Sequence, residues 1–354
     1  MRRPWATTGT IKKDTLVRIL LRGEMGTNNV LQQEEMSKHT SFRVGGPADW
    51  VLYANSVEML VKAVYAARRT KLPYRILGAG SNILVSDAGI EGIVILNKAE
   101  NYELIEYQHG FALIAEAGLM MPTLATVLAK HGAAGLEWSI GIPGTVGGAV
   151  VRNAGAWGKE TKNRLLSIEY IMSDQEQIKT ISAHKLGLRS RGSNILSVPP
   201  NKRPIILNAW FKLDRDDPDA IAARNAKYLA KSKACWPDEP NAGSIFRDPA
   251  GDSAARLIEA AGLKGYRIGD AALSSKHPNF IVNYGDAMAQ DIRALIELAE
   301  QTVHEKFGFS LEPLVEFVGH WDQAGRLAHQ AGRLASESTK ETSQKADNQN
   351  QEEL

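Results

Sequence analysis

Apolar residues recur at helical spacing in several stretches of the chain. Leu60, Val61, Val64 and Ala67 follow Asn55-Ser56-Val57-Glu58, a segment with the form of a helix N-cap and its N3 glutamate. Pro122 opens a second helix through Leu124, Val127 and Leu128, which Gly132 can end. Asp217-Pro218 begins a helix through Ala220, Ala223 and Leu229 that links two domains. Asp252-Ser253 leads into another that uses Ala254, Leu257, Ile258 and Ala261. Residues 287–306 form a long amphipathic helix carrying Ile292, Leu295, Ile296, Ala299 and Val303. Short apolar runs read instead as strands: Tyr74 to Leu77, Ile93 to Leu96, the pair Leu165 to Met172 and Ile178 to Ile181 across a turn at Ser173-Asp174, and Ile205 to Leu213. Helices and strands alternate, with antiparallel pairs included, so mixed α+β or α/β layers are expected. No internal repeat of fixed period is present.

At 354 residues the chain exceeds what one hydrophobic core usually serves, and its 44% apolar content can fill two or three. A net charge of +2 from 42 basic and 40 acidic side chains gives no electrostatic case for nucleic acid. The single cysteine, Cys235, leaves no internal disulfide and suits a reducing cytoplasm; beside Trp236 it could pack in a core. No histidine pair has metal-ligand spacing, so no protein-bound metal is expected. Arg2, Arg3, Lys12 and Lys13 precede an apolar run, Val17 to Leu21, that Arg18 interrupts. The run is too short for a signal peptide or a membrane span. Residues 1–31 read as a poorly ordered extension or a short added helix. Residues 321–354 read as a polar, disordered tail, with almost nothing apolar from Ser336 to Leu354.

Two glycine-rich stretches carry the candidate chemistry. The first is Gly78-Ala79-Gly80-Ser81-Asn82. The second runs from Gly141 through Pro143, Gly144 and Gly147 to Gly148, with Asn153 and Gly155 following. Without a Cβ in the way, backbone N–H groups can converge on phosphate oxygens. Neither loop holds Lys or Arg, which argues against a Walker site, and Ile83 occupies the third glycine position of a dinucleotide fingerprint. The first loop could equally be a tight turn between strands. The second, with four glycines in eight residues, is costly to order unless something binds it. Two separate loops suit a dinucleotide.

Thr40-Ser41-Phe42-Arg43-Val44-Gly45-Gly46-Pro47-Ala48, Leu77 through Val85, Gly141 through Gly148 and Asn153-Ala154-Gly155-Ala156 together resemble the UDP-N-acetylenolpyruvoylglucosamine reductase (MurB) family. Gly243-Ser244-Ile245-Phe246, Ala260 through Gly269 and Lys276 through Asn283 are similar to its C-terminal domain, in the family's order. The resemblance implies a two-lobed FAD-binding domain of the vanillyl-alcohol-oxidase/PCMH type over residues 32–215, with lobes at about 32–100 and 101–215. A smaller α/β substrate-binding domain would follow over 216–320, of the shorter type found in one branch of the family. It implies non-covalent FAD, NADPH as reductant and a UDP-sugar substrate. A monomer with no membrane or nucleic-acid partner is expected.

The implied reaction adds hydride to C3 of an enolpyruvyl ether and a proton to C2. Charge then develops on the substrate carboxylate, which needs cations or donors and a nearby proton source. Ser244 matches the family's serine acid. Arg191, followed by Ser193 at the right spacing, matches the arginine that would hold the carboxylate; Arg189, two residues earlier, is the alternative. The family's tyrosine is Ser190 here, and its frequent asparagine is Asp248. Near the end, the family's Glu-Pro-Glu-Val-Arg reads Glu312-Pro313-Leu314-Val315-Glu316. Leucine cannot carry the second glutamate's role in proton transfer. In a strand, Glu312, Leu314 and Glu316 would share one face, which makes Glu316 the candidate replacement carboxylate. Two alternatives follow: a same-fold flavoprotein with another substrate, or a binding protein that has lost turnover.

Overall fold

The computed structural model describes residues 13–172, 175 and 177–321. The sequence's turn at Ser173-Asp174 and its polar tail from residue 322 lie outside these residues. So do Arg2, Arg3 and Lys12.

The first lobe is a four-stranded sheet in the order Val30–Glu35, Pro47–Ala54, Ile90–Asn97, Tyr74–Leu77. The first pair is antiparallel and the other two pairings are parallel. Ile93, Val94, Ile95 and Leu96 are buried on both faces, as a central parallel strand requires. Two helices, α1 (Lys13–Met25) and α2 (Val57–Thr70), form one core with this sheet. Ser56 caps α2 through its Oγ, which accepts from Met59 N at 3.2 Å, so the cap lies one residue later than the sequence suggested and Glu58 is not at N3. The segment before residue 32 is part of this lobe. Val17, Leu21 and Met25 are buried in its core, and the first strand begins at Val30.

The second lobe is an antiparallel sheet in the order Lys179–Ser182, Leu165–Ile171, Ile205–Arg215, Gly110–Glu116, Tyr102–Tyr107. Against it lie α3 (Met121–Lys130) and the short α4 (Val146–Arg152), joined through Leu124, Leu128, Trp138, Val150, Ile168 and Phe211. Helix α5 (Pro218–Cys235) begins at Asp217, whose carboxylate accepts from Ala220 N at 2.9 Å. It packs back on α3, with Asn225 Nδ2 donating to Ala125 O at 3.0 Å. Cys235, expected as possible core, is exposed at its end, while the half-buried Trp236 stacks on Trp157 with ring centroids 5.3 Å apart.

The last unit holds α6 (Ala254–Ala260), α7 (Ala289–Phe307) and a small sheet of Arg267–Ile268, Ala271–Leu273 and Ile281–Asn283. It is seated on the first lobe. Phe42, Val44 and Leu84 enter its core beside Ile245, Phe246, Leu257 and Leu295. Asp87 accepts from the α7 amides of Ala289 (2.8 Å) and Gln290 (3.0 Å). The chain then returns to the first lobe, where Glu316–Val318 pairs parallel with Ile83–Val85.

Candidate active site

The half-buried edge strand Tyr74–Leu77 delivers the first glycine loop to a cleft between the lobes. A Cβ on Gly78 would lie 2.4 Å from Thr145 Oγ1, so the two glycine loops touch where only hydrogen fits. Gly80 has φ +63°, and a Cβ there would meet His39 O at 2.1 Å. The loop's carbonyls are used: Gly80 O accepts from Ser41 N and Asn82 O from Glu316 N. Among the described residues, the N–H groups of Gly78, Ala79, Gly80, Ser81 and Asn82 donate to no protein acceptor. Five successive amides without an acceptor form a cradle that an anion satisfies.

The second loop works differently from the expected amide grip. Most of its N–H groups are occupied within the protein: Val146 N donates to Leu119 O, Gly147 N to Ala117 O (both 2.8 Å) and Gly148 N to Thr145 Oγ1 (3.3 Å). Pro143, Gly144, Gly147 and Gly148 line the cleft and give it shape. Two predicted cofactor residues stand outside the cleft wall. Gly141 packs behind it, where a Cβ would press on Ser232 Oγ at 2.5 Å. Asn153 is fully buried in a left-handed conformation that ends α4; its Nδ2 donates to Arg189 O (3.1 Å) and its Oδ1 accepts from Lys162 N (2.9 Å). It holds loops together, and its polar atoms are spoken for.

The cleft has a volume of about 340 Å³, and Arg191, Ser244, Leu314 and Glu316 line it together with both glycine loops. Arg191 sits at φ 55° in a tight hairpin closed by Arg189 N to Gly192 O (2.9 Å) and the reciprocal bond (3.0 Å). Desolvation by the surrounding wall draws its pKa down, while Glu160 and Asp248 oppose that shift. The side chain still meets solvent through the cleft, and a guanidinium stays charged. Arg189, the alternative, points away and bonds Gly187 O and Asn194 Oδ1, both at 3.2 Å. Ser244 follows Gly243, whose N–H is fixed by Asn241 Oδ1 at 2.9 Å. Asp248 is exposed and accepts from Ala254 N at 2.9 Å at the start of α6, so it serves a helix entrance and does not line the cleft.

Leu314 and Glu316 both face the cleft, as period-two alternation requires, but Glu312 does not. The strand breaks between them: Glu312–Pro313 pairs with Phe246–Arg247, whereas Glu316–Val318 joins the first lobe. Glu312 is exposed and pairs with Arg247 Nε at 2.9 Å. Glu316 meets three arginines, at 2.6 Å from Arg75, 2.9 Å from Arg203 and 3.7 Å from Arg152. Burial pushes its pKa up, but Arg203 and Arg75 outweigh this and hold the carboxyl below the ordinary glutamate value. Burial lowers the Arg152 pKa, with Glu316 opposing. Sequence reasoning missed these three arginines. The available signal was Arg75 inside an otherwise apolar strand, since a charge there needs a partner. Lys264, Lys276 and His277 do not line the cleft; Lys264 pairs with Glu259 at 2.7 Å and Lys276 donates to Lys233 O at 2.5 Å.

These residues fit FAD: the open amide row suits a pyrophosphate, glycine at 78 and 80 lets that loop pack tightly on Thr145 and His39, and the cleft is largely apolar with Arg75, Arg152, Arg191 and Arg203 in its lining. A two-lobed α+β unit with such a cleft, followed by a smaller unit that closes it, defines an FAD-binding oxidoreductase fold of the vanillyl-alcohol-oxidase/PCMH type. Residues 48–181 match the family described as FAD binding domain, and residues 236–318 match that described as UDP-N-acetylenolpyruvoylglucosamine reductase, C-terminal domain. The UDP-N-acetylenolpyruvoylglucosamine reductase of Caldanaerobacter subterraneus subsp. tengcongensis is 39% identical over 307 residues, covering 86% of this chain and 97% of the relative. That of Chloroflexus aggregans is 43% identical, covering 79% and 94%. The crystal structure of UDP-N-acetylenolpyruvylglucosamine reductase (MurB) from Thermus caldophilus superposes with TM-score 0.67 at 34% identity, over 80% of this chain and 97% of that one. The chain belongs to the UDP-N-acetylenolpyruvoylglucosamine reductase (MurB) family.

Proposed function

We propose that the chain is an FAD-dependent oxidoreductase that uses NADPH to reduce UDP-N-acetylglucosamine enolpyruvate to UDP-N-acetylmuramate, a step of peptidoglycan precursor synthesis. The observation that carries this reading is the meeting of Arg191 and Ser244, from distant parts of the chain, in the cleft that holds the open amide row. The amides of Gly78 to Asn82 hold the FAD pyrophosphate, and Gly144, Gly147 and Gly148 shape the wall beside it. When bound, FAD supplies the hydride that adds to C3 of the enol ether. Arg191 holds the substrate carboxylate and stabilises the charge that reaches it. Ser244 delivers a proton to C2, an action that the surrounding positive charge favours by stabilising the alkoxide left behind.

Glu316, the candidate replacement carboxylate, has a different part in this reading. Its depressed pKa leaves it without a proton to give at neutral pH, and its three contacts orient Arg75, Arg152 and Arg203 along the cleft. Domain limits near residues 215 and 320 and a monomeric, cytoplasmic enzyme complete the proposal. No helix among the described residues is long and apolar enough to cross a membrane.

Leu314, at 7% exposure in the cleft wall, favours a second reading with a different acceptor. Anaerobic stopped-flow separates the two. Reduced flavin should be reoxidised rapidly by the enolpyruvyl sugar nucleotide. Reoxidation only by another enol ether or enone supports the second reading, and reoxidation by neither supports lost turnover.

A further inference from the structure

Arg191 and Ser244 approach the cleft from two units that share no continuous strand at this point, so something must fix their separation. One side chain spans the gap. Arg247, three residues beyond Ser244, donates from Nη1 to the carbonyl of Ser190 in the Arg191 hairpin, while its Nε is held by Glu312 Oε2 at 2.9 Å. Arg247 and Glu312 are direct partners in the short two-stranded ladder that carries them. From the other side, Asn153 Nδ2 donates to Arg189 O at 3.1 Å, and Ser193 Oγ donates to Val151 O at 2.6 Å. The adjacent carbonyls of Arg189 and Ser190 are thus captured by different units. The hairpin needs this support, because Arg191 holds a left-handed backbone that a non-glycine residue adopts only when its surroundings impose it.

We propose that Arg247, steadied by Glu312, is a positioning residue that sets the Arg191 guanidinium against Ser244 across the cleft. The proposal rests on the reading that these two residues handle the enolpyruvyl substrate. An arginine is needed because its planar fork can bond a carbonyl and a carboxylate at once in fixed geometry, whereas an ammonium has no such plane. Only the main-chain carbonyl of Ser190 is used, so serine in place of the family's tyrosine leaves the strut intact.

The test is a double-mutant cycle on the FAD-loaded protein. Single-turnover reoxidation of reduced flavin by UDP-N-acetylglucosamine enolpyruvate is measured for wild type, Arg247→Met, Arg191→Lys and the double variant. Substrate affinity is read separately from the perturbation of the oxidised flavin spectrum. Misplacing a catalytic group by about 1 Å costs on the order of 100-fold, so Arg247→Met should slow reoxidation by roughly 10–100-fold with FAD content unchanged. In the Arg191→Lys background the same change should cost less than about threefold, because the group it positions is already compromised. Arg247→Lys should recover part of the rate, and Glu312→Gln should show a smaller loss in the same direction. These two milder variants replace Arg247→Met in the cycle if the latter does not fold. Losses that multiply fully in both backgrounds, or that track FAD content, overturn the strut while leaving the functional reading standing. A wild-type protein that the substrate does not reoxidise overturns both.

Discussion

Replacing Glu316 by glutamine removes the one anion among three arginines while keeping its shape. The carboxylate touches Arg75 at 2.6 Å, Arg203 at 2.9 Å and Arg152 at 3.7 Å. Breaking a fully buried ion pair costs about 3–5 kcal/mol, because the surviving charge is left desolvated. Here the carboxylate is 21% exposed and the arginines 21–24%, so water screens part of that penalty and about 2–3 kcal/mol is expected. For a chain of this size, with an unfolding entropy of about 0.7 kcal/mol/K, that corresponds to a fall in Tm of about 3–4 °C. The pH dependence has a definite sign. The folded-state pKa of Glu316 lies below the ordinary value of 4.5, so its contribution is fully present above that value and disappears as the pH falls through the folded pKa. Thermal unfolding of the flavin-free protein, followed by tryptophan fluorescence, should show the full gap between wild type and Glu316→Gln at pH 7 and pH 6. The gap should narrow once the pH drops below about 4.5. Added sulfate should narrow it at pH 7 by supplying an anion to the arginines. Equal Tm values at pH 7 would refute the reasoning. Equal Tm values together with a hundredfold loss of substrate reduction would return Glu316 to the role of proton carrier.

Ser244→Ala should keep FAD bound and slow single-turnover reoxidation by substrate by about 10²–10⁴-fold, the usual range for loss of a proton donor. Arg191→Ala should slow the same step and weaken substrate binding. Loss of a charge-assisted bond worth about 1.5–3 kcal/mol predicts a roughly 10–150-fold rise in substrate Kd by flavin titration. Gly80→Ala should yield colourless protein, because its Cβ would lie 2.1 Å from His39 O and distort the amide row; a normal flavin spectrum would contradict that assignment. Leu314→Glu restores a carboxylate in the cleft wall and should speed reoxidation about tenfold, a modest part of what a general acid supplies. An unchanged rate would mean that Ser244 already delivers the proton without limitation.

What the sequence made legible was local. Helices α5 and α6 announce themselves through Asp217 and Ser253, since a cap is chemistry between residues three apart. Helix α1 was also readable in principle: Val17, Leu21 and Met25 recur every four positions, and all three are buried. Tyr102–Tyr107 was not legible, because that strand is almost wholly exposed and owes its form to pairing with Gly110–Glu116. Ile83–Val85 is three residues long and becomes a strand only when Glu316–Val318 arrives beside it. The glycine loops stood out, yet glycine looks the same whether it lets a neighbouring backbone approach, as His39 does at Gly80, or a side chain pack, as Ser232 does at Gly141. The alternation rule placed Leu314 and Glu316 correctly and failed at Glu312, because the chain changes sheets between them. The arginines around Glu316 come from a strand, the end of a helix and a loop, and no spacing in the sequence could bring them together.

The central claim, that an amide-cradled FAD beside Arg191 and Ser244 reduces an enolpyruvyl sugar nucleotide, is tested most directly by one mixing experiment. FAD-loaded protein is reduced anaerobically with one equivalent of NADPH, then mixed with UDP-N-acetylglucosamine enolpyruvate while flavin absorbance is followed. The account predicts full return of the oxidised spectrum within seconds and one equivalent of UDP-N-acetylmuramate formed. Flavin that stays bleached until oxygen is admitted, with no product, would contradict it.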